Sequence, residues 1–217
     1  MKIEKYFTRG RLAALLVVAI LLIDQAIKLW VKTNMCLHES IHVFDWFYIS
    51  FIENNGMAYG MQLGSKLLLS LFRVVAICAL TYYLWLEVKR KARTGYIMCL
   101  SMVLAGAAGN LIDCMFYGLI FDASTPYHVS MMVDYGTGYA PFLMGKVVDM
   151  FYFPLIVTTW PEWVPVWGGQ EFIFLSPVFN FADASISVSV VLLLLFYRKE
   201  ISEITLRKET EKRETKE

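Results

Sequence analysis

The sequence predicts an all-α integral membrane protein with four transmembrane helices and a small β element outside the membrane. Three observations support this fold class. The 217-residue chain is 58% hydrophobic and has a mean hydropathy of +0.53, which is far more apolar than a soluble domain of this length. It contains four apolar segments of about 20 residues, the length that spans a bilayer. Its basic residues collect at the ends of these segments.

The expected spans cover residues 12–31, 67–88, 95–117 and 178–197. Four basic residues, Lys2, Lys5, Arg9 and Arg11, precede the first span, as they would in a signal peptide. No small-residue cleavage site follows it, and the chain continues through Asp24 instead. We therefore expect the first span to be a retained signal anchor.

The distribution of positive charge predicts how the spans are oriented. Basic clusters lie before the first span, at residues 89–93 between the second and third, and at Arg198 and Lys199 after the fourth. Cytoplasmic segments carry such an excess of Lys and Arg. Both termini are therefore expected in the cytoplasm, and the loops of about residues 32–66 and 118–177 are expected outside.

The two outer loops have different compositions. Residues 42–52 are rich in aromatic and β-branched residues, which favours one or two short strands at the membrane surface. In the second loop, Trp160, Trp163 and Trp167 alternate with prolines and a glycine pair, so a regular helix is not expected. These indoles suit either the headgroup layer, as an interfacial segment, or direct contact with a substrate.

The end of the chain is different again. From Arg198 onward it mixes basic and acidic residues with almost no apolar content, so a frayed helix or a disordered tail is expected. We therefore divide the chain into a membrane domain, residues 1–200, and a charged cytoplasmic tail, residues 201–217.

Charge and residue usage argue against several classes of function. A net charge of +1 gives no reason to expect a nucleic-acid partner. The cysteines and histidines form neither a C-x-x-C pair nor an H-E-x-x-H motif. They are Cys36, Cys78, Cys99, Cys114, His38, His42 and His128. No metal and no cofactor are expected.

Two carboxylates are the most informative residues of the chain. Asp149 lies within Val-Val-Asp-Met-Phe, and Asp183 ends the segment Phe-Asn-Phe-Ala-Asp. An ionised acid beside such apolar sequence is costly and usually functional. Two acids that meet at one apolar site tend to share a proton, which leaves one base and one acid. That is the chemistry of an aspartic protease.

Further polar residues lie at the ends of the expected spans. Asp24 is late in the first span, where it could form an i,i+4 ion pair with a Lys28 that reaches outward, or orient the groups above it. Asn54 and Gly56 lie in a turn-like segment after the expected strands. Asn180 could act as an N-cap for the fourth span.

The third span carries a stripe of small and polar residues. Gly106, Gly109, Asn110 and Asp113 fall at i, i+3, i+4 and i+7, so they share one helical face. The glycines suit close helix packing, whereas an amide and a carboxylate at the outer end need another explanation. Because the polar residues of all the spans map to the same outer side, one shared polar site explains them best.

Together these motifs resemble those of the lipoprotein signal peptidases, also called signal peptidase II. The matching motifs, in the family's order, are Asp24-Gln25-x-x-Lys28, Asn54-x-Gly56-x-Ala58-Tyr59-Gly60, Gly106-x-x-Gly109-Asn110-x-x-Asp113, Val148-Asp149 and Phe179-Asn180-x-Ala182-Asp183. Each motif is weak by itself, but the ordered set covers most of the chain and is specific.

The resemblance implies an aspartic endopeptidase of the bacterial inner membrane. Such enzymes cut prolipoproteins just before a diacylglyceryl-modified cysteine, on the periplasmic side, without a cofactor. The family's catalytic dyad falls on Asp149 and Asp183. Its supporting and substrate-binding positions fall on Asp24, Lys28, Asn54, Gly56, Asn110, Asp113 and Asn180. The first outer loop looks like the family's β-cradle, and the second like the region of its interfacial helix. A monomer in contact with membrane lipids is expected.

The chain departs from the family's pattern in two places. The family usually has Arg after the third-span aspartate, whereas this chain has Cys114, so Arg73 or Lys146 could supply the missing cation. The second outer loop also carries long insertions. Two other classes of function remain open on the sequence: a small proton-coupled transporter, and a non-enzymatic four-span protein.

Overall fold

The computed structural model describes residues 8–54, 66–175 and 177–202. Its first three helices are α1 (Arg9–Asn34), α2 (Lys66–Lys89) and α3 (Thr94–Ile112). A π-helical turn, Asp113–Tyr117, links α3 to the short α4 (Gly118–Ile120), and the last helix is α5 (Phe181–Phe196). The strands are β1 (Ser40–Phe44), β2 (Phe47–Asn54), β3 (Val147–Tyr152), β4 (Ile156–Thr159) and β5 (Glu171–Phe174).

In the described part of the chain, three helices are long and apolar enough to cross a membrane. They are Arg9–Asn34, Lys66–Lys89 and the continuous Thr94–Ile120. The fourth expected span is the shorter α5, which has 16 residues, so the count of four spans is not confirmed. The helix α5 begins after the expected position because Phe179 pairs with β3. The backbone N–H of Phe179 donates to Phe151 O at 3.0 Å, and Phe179 O accepts a hydrogen bond from Phe151 N at 2.7 Å.

The described segments form two compact units. The first unit contains the described parts of Met1–Leu22, Val75–Ala108 and Ala182–Glu217. Its apolar core comprises Ala13, Leu84, Tyr96, Ile97, Cys99, Leu100, Leu104 and Leu193. A Cβ at Gly106 would lie 2.4 Å from Ala182 O, so α3 and α5 approach closely there, as small residues allow between membrane helices.

The second unit contains the described parts of Ile23–Val74 and Gly109–Phe181. Its core comprises Val31, Met35, Phe51, Tyr117, Phe121, Val148 and Met150. The unit holds an antiparallel sheet of order β1-β2-β3. β1 and β2 are the strands expected in the first outer loop. β3 was not expected, and because it adds a buried strand to the core, the all-α class is not confirmed.

A two-stranded hairpin, β4–β5, occupies the Trp-rich part of the second loop. Its register pairs Ile156 with Phe174 and Thr159 with Glu171. This agrees with the expectation that the segment is not a regular helix, and no helix is found within residues 153–175. The Trp-rich part of the second loop is therefore a β-hairpin in this chain.

Candidate active site

Asp149 lies in the middle of β3, between Val148 and Met150, which belong to the core of the second unit. Asp149 is 2% exposed, and it pairs with Ile52 of β2. Asn54 is two residues beyond Ile52, so its side chain projects from the same face of the sheet as Asp149. The Asn54 Nδ2 group donates a hydrogen bond to Asp149 Oδ2.

The other oxygen of Asp149 is also held by an amide. Asn180, which precedes α5 and is fully buried, donates from Nδ2 to Asp149 Oδ1 at 2.7 Å. The same Nδ2 group donates to Asn110 Oδ1 at 3.0 Å, and Lys28 Nζ donates to that oxygen at 2.9 Å. Because Asn110 Oδ1 accepts both of these hydrogen bonds, the orientations of the Asn110 and Asn180 side-chain amides are fixed.

An ion network connects α1 with the end of α3 and contacts Asn110 through Lys28. We call it the Lys28 network. Lys28 Nζ is 3.0 Å from Asp24 Oδ2 and 2.8 Å from Asp113 Oδ2. Gln25 Nε2 donates to Asp113 Oδ1 at 2.9 Å, and Val148 N donates to Asp113 Oδ2 at 3.2 Å. The last contact ties the network to the strand of Asp149.

The Lys28 network corrects one expectation. The i,i+4 ion pair between Asp24 and Lys28 forms, but the Lys28 side chain is 0% exposed, so it does not reach outward. A buried ammonium needs charged partners, and here two carboxylates supply them. Asp24 and Asp113, far apart in the sequence, are thereby joined through a single cation.

Asp183 and Gly56 complete the set of nine expected site residues. Asp183 lies in the first turn of α5, three residues after Asn180; it is half-buried and belongs to the first unit. Gly56 lies outside the described residues. The structure therefore brings together seven of the nine expected residues: Asp24, Lys28, Asn54, Asn110, Asp113, Asp149 and Asn180.

Sequence reasoning missed a second ion network, which we call the Glu53 network. Lys32 Nζ is 2.6 Å from Glu53 Oε1 and donates to Ser124 Oγ at 2.9 Å. Ser124 Oγ donates to Glu53 Oε1 at 3.0 Å, and Lys146 Nζ lies 3.2 Å from Glu53 Oε2. One sequence signal was available: Asp24, Lys28 and Lys32 are spaced four apart, on one face of α1.

The charge of Glu53 depends on these partners. Burial alone would raise the pKa of its carboxyl group, but the charge of Lys32 and the hydrogen bond from it lower that pKa below its ordinary value, with further help from Lys146. The contribution of Glu53 to stability is therefore fully present above the ordinary carboxyl pKa and is lost as the pH falls through the lowered value.

Cys114 follows Asp113 in the π-helical turn and is fully buried. Of the two cations suggested as substitutes for the family's Arg, Arg73 lies against this residue: its Nη1 donates to Cys114 Sγ at 3.2 Å. Lys146 instead contacts Glu53. A guanidinium group therefore reaches the position next to Asp113 from α2 rather than from the adjacent residue.

We expect Cys114→Ser to keep kcat/KM within about twofold, because a hydroxyl can also accept the hydrogen bond from Arg73. By contrast, Cys114→Arg should lower the melting temperature, since it forces a large cation into a filled site beside Arg73. Cleavage kinetics and thermal unfolding of the two variants test this. A large loss of activity in Cys114→Ser would mean that the thiol itself contributes to catalysis.

Among the described residues, no group of three or more His, Cys, Asp or Glu side chains is arranged to hold a metal ion. The buried cluster instead combines amides with charge-paired acids and lysines. Such an arrangement can hold a carboxylate in a fixed orientation and supply or accept protons.

Comparisons with known proteins agree on one family. The model of the family described as Signal peptidase (SPase) II matches residues 16–198. A lipoprotein signal peptidase of Porphyromonas gingivalis is 49% identical over 195 residues, covering 89% of this chain and 86% of the relative. One of Amoebophilus asiaticus is 36% identical over 188 residues, covering 83% and 75%.

A solved structure supports the same fold. A bacterial membrane enzyme superimposes with a TM-score of 0.57 at 23% sequence identity, covering 88% of this chain and 90% of that one. The extent of the family match and the identity to the Porphyromonas gingivalis relative decide the assignment. This chain belongs to the signal peptidase II family.

Proposed function

We propose that this chain removes signal peptides from prolipoproteins with Asp149 and Asp183 as its catalytic pair, cutting just before a diacylglyceryl-modified cysteine. Membership of the signal peptidase II family makes the chain a membrane protease of lipoprotein maturation with an aspartic mechanism. The observation that carries the residue assignment is the buried carboxylate of Asp149, with an amide donor on each of its oxygens.

The surroundings of Asp149 suit a catalytic carboxylate. Hydrogen bonds from Asn54 and Asn180 fix the direction of both oxygens before a substrate arrives. A carboxyl group that is held by amides in a fixed orientation suits proton exchange with a bound water molecule.

Asp183 is proposed as the partner from its place in the chain. It follows Asn180 by three residues and lies in the first turn of α5, where the helix dipole favours a carboxylate. Since Asn180 donates to Asp149, the segment that begins α5 is attached to the strand of Asp149. The family motif Phe179-Asn180-x-Ala182-Asp183 supports the same assignment.

The proposed reaction is acid–base activation of water. The ionised carboxylate of the pair takes a proton from water as the water oxygen attacks the scissile carbonyl carbon. The protonated partner donates a hydrogen bond to the developing oxyanion and later protonates the leaving amine. Because a coupled pair titrates as a unit, the two roles are not divided between Asp149 and Asp183.

The remaining residues are proposed to hold the pair in place. Asn54 and Asn180 contact Asp149 directly, and Asn110 fixes Asn180. The Lys28 network then supports Asn110 and the backbone of β3. Gly56, outside the described residues, is proposed to let the backbone come close to the substrate.

The chain is a bacterial membrane protein, as its three long apolar helices and its family indicate. We propose that α5 forms a fourth span and that residues 1–200 form the peptidase domain, followed by a cytoplasmic tail, residues 201–217. A monomer in contact with membrane lipids suffices for this arrangement. No feature of the described structure favours a proton-coupled transporter or a non-enzymatic assembly protein.

The proposed topology predicts the outcome of reporter fusions. Fusions after Tyr59 and Gly138 should report the outside, and fusions after Arg93 and Lys212 the cytoplasm, because the basic clusters remain inside. Paired alkaline phosphatase and fluorescent protein reporters measure this. A cytoplasmic signal at Gly138 would place Asp149 on the inner side and contradict the topology.

A cellular experiment tests the function. The chain is expressed in a bacterium whose own lipoprotein signal peptidase is depleted, and the size of a reporter prolipoprotein is followed on gels. Processing to the mature size supports the proposal, with the empty vector as control. Accumulation of the uncut precursor, despite normal membrane levels of the chain, would overturn it.

A further inference from the structure

Glu53 connects four distant segments of the second unit. Its carboxylate contacts Lys32 of α1, Ser124 of the second loop and Lys146 just before β3. The Glu53 side chain is 2% exposed and that of Lys32 is 0% exposed, while Lys146 remains 38% exposed. Both oxygens of Glu53 are therefore engaged, each by a donor from a different part of the chain.

The position of Glu53 on β2 relates this network to the active site. Glu53 and Asn54 are consecutive, so their side chains point to opposite faces of the sheet. Asn54 projects toward Asp149 and donates to it, whereas Glu53 projects toward Lys32 and Lys146. The orientation of the Glu53 side chain therefore determines the orientation of the Asn54 side chain.

The connection between β2 and β3 does not set the register of the strands at this end. β2 and β3 are not joined by a tight turn, since Asn54 and Asp149 are 95 residues apart in the chain. The pairing also shifts between Ile49 and Ile52, which separates the register of this end from that of the rest of the sheet. A slip by one residue would turn Asn54 away from Asp149 and direct Glu53 toward it.

The free-energy cost of burying the charges of the Glu53 network suggests that the network does more than stabilise the fold. Burying an ion pair often stabilises a protein no more than apolar residues of the same volume would. A buried charge placed on the wrong face of the sheet, however, would be strongly unfavourable. A slip of the register would therefore break the network and leave buried charges without their partners.

We propose that Glu53, through Lys32 and Lys146, is a positioning residue that fixes the register of β2 against β3 and so aligns Asn54 with Asp149. This inference rests on the proposed function, because it assumes that Asp149 takes part in catalysis. Glu53 itself has no role in proton transfer. Its effect reaches the carboxylate only through Asn54.

The first test compares Glu53→Gln with the wild type in purified form, using a diacylglyceryl-modified prolipoprotein. Since a displacement of about 1 Å can cost about 100-fold in rate, we expect kcat to fall by about 10- to 100-fold, with KM nearly unchanged. Glu53→Asp, which keeps the charge, should recover part of the loss. Glu39→Gln is the matched control, because Glu39 is exposed, contacts the backbone N of Cys36 and should leave kcat unchanged.

The decisive test is a double-mutant cycle with Asn54→Ala, which removes the contact to Asp149. If Glu53 acts through that contact, adding Glu53→Gln to Asn54→Ala should lower kcat by less than about threefold more. If the two losses simply multiply, or if Glu53→Gln lowers the melting temperature while kcat per folded enzyme is unchanged, the proposal is wrong. Asp149→Asn is measured in the same assay. Normal cleavage by this variant would mean that the proposed function of Asp149 is wrong, whatever the result for Glu53.

Discussion

Replacement of either proposed catalytic acid, Asp149→Asn or Asp183→Asn, is expected to abolish prolipoprotein cleavage. Each change keeps the size of the side chain but removes the shared proton, so neither activation of water nor protonation of the leaving amine can proceed. General acid–base catalysis contributes about 10² to 10⁴ in rate, and the loss of both functions should lower kcat by about 10³-fold or more. Single-turnover cleavage of a modified prolipoprotein measures this.

The two variants should remain folded, because each replacement keeps the size of the side chain, and an amide at position 149 still accepts a hydrogen bond from Asn54 or Asn180 through its one oxygen. Their melting temperatures and membrane levels serve as the control for this. Asp122→Asn is a matched variant in the loop between α4 and β3. Its carboxylate contacts His128 and accepts a hydrogen bond from Met131 N, and the kcat of the variant should stay near that of the wild type. Near-normal turnover in Asp149→Asn or Asp183→Asn would show that the pair is assigned to the wrong residues.

Lys28→Met is expected to destabilise the protein by about 3–5 kcal/mol, the typical cost of removing one partner from a buried ion pair. Lys28 is the cation between Asp24 and Asp113, so its loss leaves two buried carboxylates facing each other. It also removes the donor to Asn110 Oδ1, so activity should fall in the fraction that stays folded. Thermal or denaturant unfolding in detergent micelles measures the loss of stability.

Two further variants sharpen the test of Lys28. The double variant Lys28→Met with Asp113→Asn should be more stable than Lys28→Met alone, because one of the two buried charges is gone. Lys199→Met is the control, since Lys199 is exposed and such changes usually stay within about 0.5 kcal/mol. If Lys28→Met unfolded at the wild-type temperature, the ion network would not support the site.

Much of the candidate site could be predicted because its residues are polar in apolar sequence. Asn110 and Asp113 share a helical face by their spacing alone, and Asp149 is unusual in a run of valines and aromatics. The ordered motifs then indicated the family, which the comparisons confirm. The contacts of Asn110 with Lys28 and Asn180 could not be predicted, since they depend on how segments distant in the chain pack together.

The Glu53 network was missed for a related reason. Lys32 and Glu53 lie in a stretch where charged residues are expected at a membrane surface, so nothing in the local sequence indicates that they are buried. Their burial follows from the addition of β3 to β2, a pairing across 95 residues. Local patterns predict strands and helices, but long-range pairing depends on the whole fold.

The length of the last helix shows the same limit. Hydropathy indicated a span from residue 178, because Val178 and Phe179 are apolar. In the structure Phe179 exchanges backbone hydrogen bonds with Phe151 of β3, so the helix begins only at Phe181. The partner strand, which hydropathy cannot reveal, decides where the helix starts.

The most direct test of the proposed peptidase activity is mass analysis of the cleavage products. Purified protein is incubated with a prolipoprotein that carries the diacylglyceryl group and with the same precursor lacking it. We predict that only the modified precursor is cut, at the bond just before the modified cysteine, and that Asp149→Asn and Asp183→Asn yield neither product. Cleavage at another bond, equal cleavage of the unmodified precursor, or cleavage by either variant would contradict the proposed activity and its catalytic pair.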